Sequence, residues 1–315
     1  MPEFSDFEFM STTARNTIHA RKCVPGGTPR AVVQIVHGIA EHIERYDDFM
    51  SFLAANGIVA VGDDHLGHGK SVTDPADLGF FNDSMGWDNV VMDEERLHDI
   101  MAKEYPDIPY IFFGHSMGSF ITRTFIIRHP DKYDAVIISG TGHQSRLMVI
   151  AGYLLAEAEV KAKGARGDGK PLNDIAFGSY LKKIEAPRTE FDWLSRDNET
   201  VDKYIADPMC GFIAKTSLYR DMMGGIWFVT NQKNINMMDK EKPVYFMSGA
   251  DDPVGEYGKG VEKAYNAFCK AGLHDVKMKL YPGGRHEMLN ETNRAEVYND
   301  ILGWINEKLS VMEKA

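Results

Sequence analysis

Short apolar runs alternate along this chain with longer stretches in which apolar residues recur every three or four positions. The short runs are typical of strands buried on both faces of a parallel sheet. They are Ala31–Val36, Ile58–Val61, Tyr110–Phe113, Ala135–Ser139, Val244–Ser248 and Val276–Leu280. Two further runs, Phe4–Met10 and Thr17–Val24, predict an antiparallel hairpin at the edge of the sheet.

The longer stretches have the spacing of amphipathic helices. They are Tyr46–Ala55, Trp87–Tyr105, Phe120–Ile127, Gly258–Ala271 and Thr292–Leu309. Strands that alternate with helices indicate right-handed β-α-β units and a mainly parallel sheet with helices on both faces. The predicted fold class is therefore α/β.

One interval, His143–Met238, interrupts this alternation because it contains no run typical of a buried strand. Its most apolar part is Leu147–Leu155. An insertion between two core strands that carries an amphipathic helix predicts a lid, with Leu147–Leu155 lining an acyl pocket. A helix packed permanently on the core is the alternative interpretation. The predicted domains are a core of residues 1–142 and 239–315 and a helical cap of residues 143–238.

A G-x-S-x-G motif at residues 114–118 lies between a predicted strand and an apolar helix, which is the context of a nucleophile elbow. A turn this tight forces Ser116 into a strained backbone conformation and needs glycines two positions to either side. It raises the serine hydroxyl above the sheet, with the helix N-terminus facing any oxyanion that forms. Ser116 is therefore the predicted nucleophile.

A serine hydroxyl needs a base, and the base needs an acid that orients it. In a fold of this type the acid and then the histidine follow the nucleophile along the chain, each after a strand. His286 follows the last predicted strand in a glycine-rich loop and is the predicted base. Asp251 and Asp252 follow the preceding strand. Pro253 sets the turn after Asp252, which favours Asp252, and Asp251 is the alternative.

The composition excludes other classes of protein. A formal net charge of −11 argues against a general nucleic-acid binder. Cys23, Cys210 and Cys269 are far apart, which indicates neither a disulfide framework nor a zinc site. The acidic N-terminus lacks the profile of a signal peptide, and no apolar stretch approaches the ~20 residues that cross a bilayer. We therefore expect a cytoplasmic protein.

Three motifs together resemble the monoacylglycerol lipase and lysophospholipase branch of the α/β-hydrolases, which shares its core with serine aminopeptidases. They are the loop His37–Tyr46, the elbow, and the loop Gly284–Glu287. The resemblance spans the whole core. It implies an α/β-hydrolase fold with a mainly parallel eight-stranded sheet, an antiparallel second strand, and a helical cap after the sixth strand.

The resemblance also implies roles for single residues. The family's G-x-x-D pattern selects Asp252 as the acid. Its oxyanion hole corresponds to the backbone N–H groups of Ile39 and Met117. The family residues that contact the polar head of the substrate correspond to Arg45 and His115, for which a role in stabilising the loops is the alternative.

A second cluster, formed by Asp63, Asp64, His65 and His68, contains side chains of the types that ligate metals. The same glycine-rich stretch resembles the family's turn after its fourth strand, so we interpret the cluster as structural. No metal and no cofactor are predicted.

These features predict a serine hydrolase that cleaves carboxylic esters of single-acyl-chain lipids through an acyl-enzyme, of the monoacylglycerol or lysophospholipid type. Its predicted partners are this small lipid-like ester and, transiently, a membrane or micelle surface that contacts the cap; no nucleic-acid partner is expected. The alternatives are a serine aminopeptidase-type peptidase, a short-chain carboxylesterase and a catalytically silent binding protein. The peptidase requires a cap carboxylate to bind the substrate's amine. The candidates are Glu157, Glu159, Glu185 and Glu190.

Overall fold

The computed structural model describes residues 1–312, so the last three residues of the predicted core lie outside the described residues. Eight strands form one sheet in the order β1-β2-β4-β3-β5-β6-β7-β8. Their bounds are β1 Glu3–Met10, β2 Thr17–Val24, β3 Ala31–Val36, β4 Ile58–Asp63, β5 Tyr110–His115, β6 Ala135–Ser139, β7 Val244–Gly249 and β8 Val276–Tyr281.

Helices cover both faces of this sheet. Their bounds are α1 Asp47–Ala55, α2 Gly86–Glu104, α3 Met117–Arg128, α4 Arg146–Lys163, α5 Lys170–Phe177, α6 Asn198–Ala206, α7 Thr216–Thr230, α8 Gln232–Ile235, α9 Lys259–Lys270 and α10 Arg294–Met312. Alternate strand residues point to opposite faces. Val32 and Val36 therefore join the core under α2, α3 and α9, whereas Val33 and Ile35 join the core under α1 and α10. The predicted α/β fold is confirmed.

The direction of β2 also agrees with the prediction. β2 pairs antiparallel with both β1 and β4, and the remaining pairs of the sheet are parallel. The predicted hairpin at the sheet edge is therefore confirmed. β8 differs from the prediction of a strand buried on both faces. It is the last strand of the sheet, and most of its residues are half-buried because one flank lacks a neighbouring strand.

The segment between β6 and β7, called the cap below, contains the helices α4 to α8. α4 packs along α7, and α7 in turn packs on α2 and α3 of the core. α4 buries Val149 and Ala156, whereas Leu147 is 81% exposed and Leu154 is 61% exposed. Within residues 1–312, no helix combines the length and the apolar character required to span a membrane.

Candidate active site

Ser116 connects β5 to α3 with a backbone conformation that few residues adopt. Its φ is 54° and its ψ is −121°, so the chain reverses sharply at this residue. The flanking glycines permit the turn, since a Cβ at Gly118 would collide with the carbonyl oxygen of Val36, and one at Gly114 would collide with the side chain of Thr122. The geometry is that of a nucleophile elbow.

The loops after β7 and β8 bring a carboxylate against an imidazole. Oδ2 of Asp252 lies 3.0 Å from Nδ1 of His286. The same carboxylate accepts hydrogen bonds from the hydroxyl of Ser248 at 2.9 Å and from the N–H of Val254 at 2.8 Å. Asp252 is fully buried, whereas Asp251 is exposed. The structure therefore pairs His286 with Asp252 rather than with Asp251.

Burial and charge act in opposite directions on this pair. Burial by itself raises the pKa of Asp252, but the adjacent His286 charge and the hydrogen bonds to the carboxylate hold that pKa below its ordinary value. Burial lowers the pKa of His286, and the carboxylate of Asp252 outweighs burial, so that the pKa of His286 is raised. Asp252 is therefore an anion at neutral pH, and it stabilises an imidazolium at His286.

A cavity of about 460 Å³ contains both Ser116 and His286 in its lining. Its apolar walls come largely from the cap. They are formed by Phe177, Leu181, Phe191, Trp193, Phe212 and Ile213. Within the described residues the hydroxyl of Ser116 makes no hydrogen bond to His286; such contacts often tighten only when substrate binds.

Two backbone N–H groups beside Ser116 remain available. Met117 is the first residue of α3, where N–H groups have no partner within the helix. Ile39 lies in the cavity lining, and a Cβ at the neighbouring Gly38 would lie 3.1 Å from Cβ of Ser116. Among the hydrogen bonds of residues 1–312, neither N–H is a donor. Both groups are therefore free to stabilise negative charge near Ser116.

Comparison with known proteins now assigns the chain to a family. The sequence profile described as serine aminopeptidase, S33, matches residues 27–293. The chain belongs to this family of α/β-hydrolases.

Individual relatives are esterases and lipases. The hydrolase is 29% identical to the monoacylglycerol lipase of Mycolicibacterium smegmatis over 284 residues, which cover 89% of this chain and 90% of the relative. It is 25% identical to the monoglyceride lipase of Mus musculus over 308 residues, or 98% and 91% of the two chains. A thermostable carboxyl esterase from Bacillus coagulans, solved in complex with glycerol, has a TM-score of 0.90 and 31% identity, with 97% and 99% of the chains covered. The chain is a serine ester hydrolase similar to monoglyceride lipases.

The side chain of Arg45 pairs with two carboxylates and does not line the cavity. Its guanidinium donates to both oxygens of Glu287 at 2.7 Å and to Glu41 at 2.5 Å. It also lies 4.8 Å from the ring centre of Tyr204, and it is absent from the cavity lining. Because two buried carboxylates occupy its donors, Arg45 has in this structure the loop-stabilising role that is the alternative to substrate contact, and contact with substrate stays a prediction.

These ion pairs join the two loops on either side of Ser116. Glu41 accepts the N–H of Gly38 at 2.6 Å and so fixes the loop that carries Ile39. Glu287 directly follows His286 along the chain. Arg45 holds the pKa of Glu287 at about 2 in spite of burial, so the carboxylate remains charged. We call Glu41, Arg45 and Glu287 the loop clamp.

The cap contacts His286 directly, which the sequence did not indicate. The N–H of His286 donates to the carbonyl of Trp193 at 3.3 Å, and the N–H of Glu287 donates to that of Leu194 at 2.8 Å. The indole ring of Trp193 lies 5.2 Å from the imidazole of His286 between ring centres. The sequence shows aromatic residues at Phe191–Leu194, but this pattern does not reveal a contact with a residue about ninety positions away.

His115 lies beside His286, in the cavity lining. Its ring centre is 4.6 Å from that of His286, and its Nδ1 is 3.3 Å from the hydroxyl of Ser139. Burial and the charge of His286 lower the pKa of His115 to about 3, so the imidazole is neutral at ordinary pH. It is placed to exchange a hydrogen bond with a neutral polar group of a ligand.

The cluster after β4 makes internal hydrogen bonds. His65 contacts Asp63 at 3.0 Å through Nδ1 and the carbonyl of His37 at 3.1 Å through Nε2. Nδ1 of His68 contacts the carbonyl of Leu66 at 3.0 Å. Burial and nearby Glu94 raise the pKa of Asp63 to about 7. These contacts agree with the structural interpretation of the cluster.

Proposed function

We propose that this hydrolase cleaves carboxylic esters of lipids with a single acyl chain, of the monoacylglycerol or lysophospholipid type. The observation that carries the proposal is the 3.0 Å contact between Asp252 and His286, beside an elbow serine in the lining of an apolar-walled cavity. The names of the relatives support the same class of substrate.

Acylation begins when Oγ of Ser116 attacks the acyl carbonyl carbon and His286 accepts the hydroxyl proton. Asp252 holds the imidazole in the tautomer whose Nε2 is free, and it stabilises the imidazolium that forms. The N–H groups of Ile39 and Met117 donate to the oxyanion of the tetrahedral intermediate. When the intermediate collapses, the leaving alcohol takes the proton from His286, and an acyl-serine remains.

Deacylation repeats the same proton transfers with water. His286 removes a proton from a water molecule that attacks the acyl-serine, and it then returns a proton to Oγ of Ser116. The products are a fatty acid and the regenerated serine. His115 is the cavity residue that best suits hydrogen bonding to the alcohol part of the ester, because it is neutral and lies beside the base.

The acyl chain is assigned to the aromatic and aliphatic wall that the cap contributes. This assignment replaces the expectation for Leu147–Leu155, because no residue of that stretch belongs to the cavity lining. The proposed division is a catalytic core of residues 1–142 and 239–315 under a cap of residues 143–238. Each methylene buried against the wall contributes about 0.8 kcal/mol at most, so chain length should affect specificity strongly.

A panel of substrates tests this proposal. It contains p-nitrophenyl esters from acetyl to palmitoyl, monoacylglycerols, lysophosphatidylcholine and aminoacyl-naphthylamides. We expect kcat/KM to rise with chain length beyond acetyl, and we expect activity on monoacylglycerol or lysophosphatidylcholine. A maximum at acetyl with a steady fall would indicate a short-chain carboxylesterase and would refute the proposed substrate class.

A peptidase of the aminopeptidase type is a second candidate, favoured by one specific observation. Glu190 and Asp174 line the cavity, as a site for a substrate ammonium group requires. Lys170 also lines the cavity and pairs with Asp174 at 2.8 Å, which reduces the negative charge there. Activity confined to the aminoacyl amides, and lost in Glu190→Gln, would favour this candidate over the lipid esterase.

The outer face of the cap supports the proposed transient contact with a lipid surface. Among the exposed large apolar side chains of the cap, five come from α4 and α5. They are Leu147, Met148, Leu154, Leu155 and Ile175. Leu147, Ala151, Leu154, Leu155 and Ala158 recur at helical spacing and form one face of α4. Such a face would bring the cap onto a micelle or bilayer that contains the substrate.

A further inference from the structure

Three side chains of metal-ligating types meet where the cap contacts the loop after β3. His42 belongs to that loop, and Asp207 and Cys210 belong to the cap segment between α6 and α7. Nε2 of His42 lies 2.8 Å from Oδ2 of Asp207. One ligating atom from each of the three residues lies within 4.8 Å of the other two. The fold thus joins residues more than 160 positions apart into one polar cluster.

The three residues of the cluster differ in their exposure to solvent. His42 is 4% exposed and Cys210 is 9% exposed, whereas the side chain of Asp207 is 28% exposed. The cluster is therefore enclosed on the protein side and open to solvent at the carboxylate. Within residues 1–312, the buried Nδ1 of His42 has no hydrogen-bond partner. His42 therefore pairs with Asp207 through Nε2, and no group of the described residues uses its Nδ1.

We propose that His42, Asp207 and Cys210 form a binding site for a thiophilic divalent cation such as Zn²⁺. Imidazole nitrogen, carboxylate oxygen and cysteine sulfur are all common zinc ligands, and three protein ligands with one water complete a tetrahedral site. The bond lengths of about 2.0–2.3 Å imply ligand separations of about 3.3–3.8 Å. The nearest ligating atoms of His42 and Asp207 are 2.8 Å apart, and one ligating atom from each of the three residues lies within 4.8 Å of the other two, so the cluster is close to this spacing.

Binding replaces a proton with the metal. The thiol of Cys210 is buried, and it ligates a metal as the thiolate, so binding requires it to lose its Sγ–H proton. The cation takes the thiolate, the Sγ–H proton passes to solvent, and the hydrogen bond between His42 and Asp207 gives way to two metal–ligand bonds. No redox change occurs, and no co-reactant is required.

A second cluster, Asp63, His65 and Glu94, suits this chemistry less well. Its ligating atoms also lie within 4.8 Å of one another. All three side chains are at most 1% exposed, so the cluster has no visible path from solvent. It contains no sulfur, which makes it a poorer match for a thiophilic cation.

The metal would fasten the cap to the loop that carries the oxyanion-hole residue Ile39. Two contacts already join these parts, because the carbonyl of Ala40 accepts the N–H of Gly211 at 3.0 Å and the hydroxyl of Tyr204 at 2.9 Å. Three metal–ligand bonds across the same junction would add to them. Ligands that bind the folded state alone stabilise it.

Cobalt titration tests the site, because Co²⁺ substitutes for Zn²⁺ and absorbs light. Full-length protein freed of metal with a chelator is titrated with Co²⁺ and then with Zn²⁺. We expect one equivalent of Co²⁺ to produce a thiolate-to-cobalt charge-transfer band, Zn²⁺ to abolish it, and Zn²⁺ to raise the thermal unfolding midpoint. A protein that shows no such band at saturating Co²⁺ would overturn the proposal.

Matched variants identify the residues that bind the metal and produce the charge-transfer band. Cys210→Ser and Asp207→Asn should lose the band or weaken Co²⁺ binding at least tenfold, and Zn²⁺ should no longer raise their unfolding midpoints. Cys269→Ser removes an exposed cysteine and should behave like the unchanged protein. Circular dichroism confirms that each variant is folded. A band that persists in Cys210→Ser and disappears in Cys269→Ser would assign metal binding elsewhere and refute the site.

Discussion

Two adjacent aspartates differ completely in environment. Asp252 is buried against His286, whereas Asp251 is exposed. Asp252→Asn should lower kcat by about 10⁴-fold, because an amide at this position favours the wrong tautomer of the imidazole. Asp251→Asn is the matched control and should retain nearly full activity. The measurement is kcat with a soluble p-nitrophenyl ester, and equal losses in the two variants would contradict the assignment.

The pH dependence of the reaction reports the charge of His286. This residue accepts a proton only when neutral, and Asp252 raises its pKa above the ordinary value. We therefore expect kcat/KM to increase with pH through an apparent pKa above the ~6.5 of free histidine. In Asp252→Asn, His286 remains buried but loses its anionic partner, so its pKa should fall. The rising part of the plot of kcat/KM against pH should therefore move to lower pH. A fluorogenic ester measures this residual activity, and a rising part that stays in place or moves to higher pH would contradict the account.

Most strands were predictable from local sequence. β2, β3 and β6 have the predicted bounds, because an apolar or alternating run between turn residues has few other ways to fold. The elbow could be predicted for the same reason, since its strand, turn and helix are contiguous. Asp252 could be preferred over Asp251 from the turn at Pro253 and the family pattern, although no local pattern determines which carboxylate faces the base.

Contacts between distant elements could not be predicted in this way. The resemblance implies contact with substrate or loop stabilisation for Arg45, and its partner in the structure, Glu287, is 242 positions away in the chain. The stretch Leu147–Leu155 was expected to line the cavity. The spacing of apolar residues in α4 shows which of them share a face, but the position of α7 decides which face of α4 is buried.

The loop clamp is the element-level feature with the clearest energetic prediction. Arg45→Ala leaves the carboxylates of Glu41 and Glu287 buried without their cation. The loss of one partner of a buried ion pair typically lowers the free energy of unfolding by about 3–5 kcal/mol. We expect a loss of this size in urea unfolding, together with a lower kcat, since both loops beside Ser116 lose their support.

A surface pair provides the control for the loop clamp. Lys203 and Glu199 are also paired, but their side chains are 75% and 79% exposed. Exposed pairs contribute little to stability because water screens their charges, so Lys203→Ala should change the unfolding free energy little. If Arg45→Ala is no more destabilising than Lys203→Ala, the loop clamp does not have the role that we assign to it.

At the scale of the whole molecule, we propose a separate task for each of the two faces of the cap. Its inner face lines the cavity, and its outer face presents the leucines of α4 to solvent. Leu147→Gln combined with Leu154→Gln should lower the rate on micellar monoacylglycerol several-fold without affecting hydrolysis of a monomeric short ester. Exposed positions tolerate such changes within about 0.5 kcal/mol of stability.

The control for this prediction is an exposed apolar residue outside the cap. Val311 lies near the end of α10, which is not part of the cap, and its side chain is 62% exposed. Val311→Gln should leave both activities unchanged. Equal rates on micelles for the double variant and the unchanged protein would remove the proposed role of the outer face.

The central claim is that Ser116 is the nucleophile of an acyl-transfer site. A fluorophosphonate reacts with activated serines, and intact-protein mass spectrometry with peptide mapping identifies the labelled residue. We expect one adduct on Ser116 in the unchanged protein, no adduct in Ser116→Ala, and much slower labelling in His286→Ala. An unchanged protein that takes no label, or a Ser116→Ala variant that takes as much label as the unchanged protein, would contradict the account.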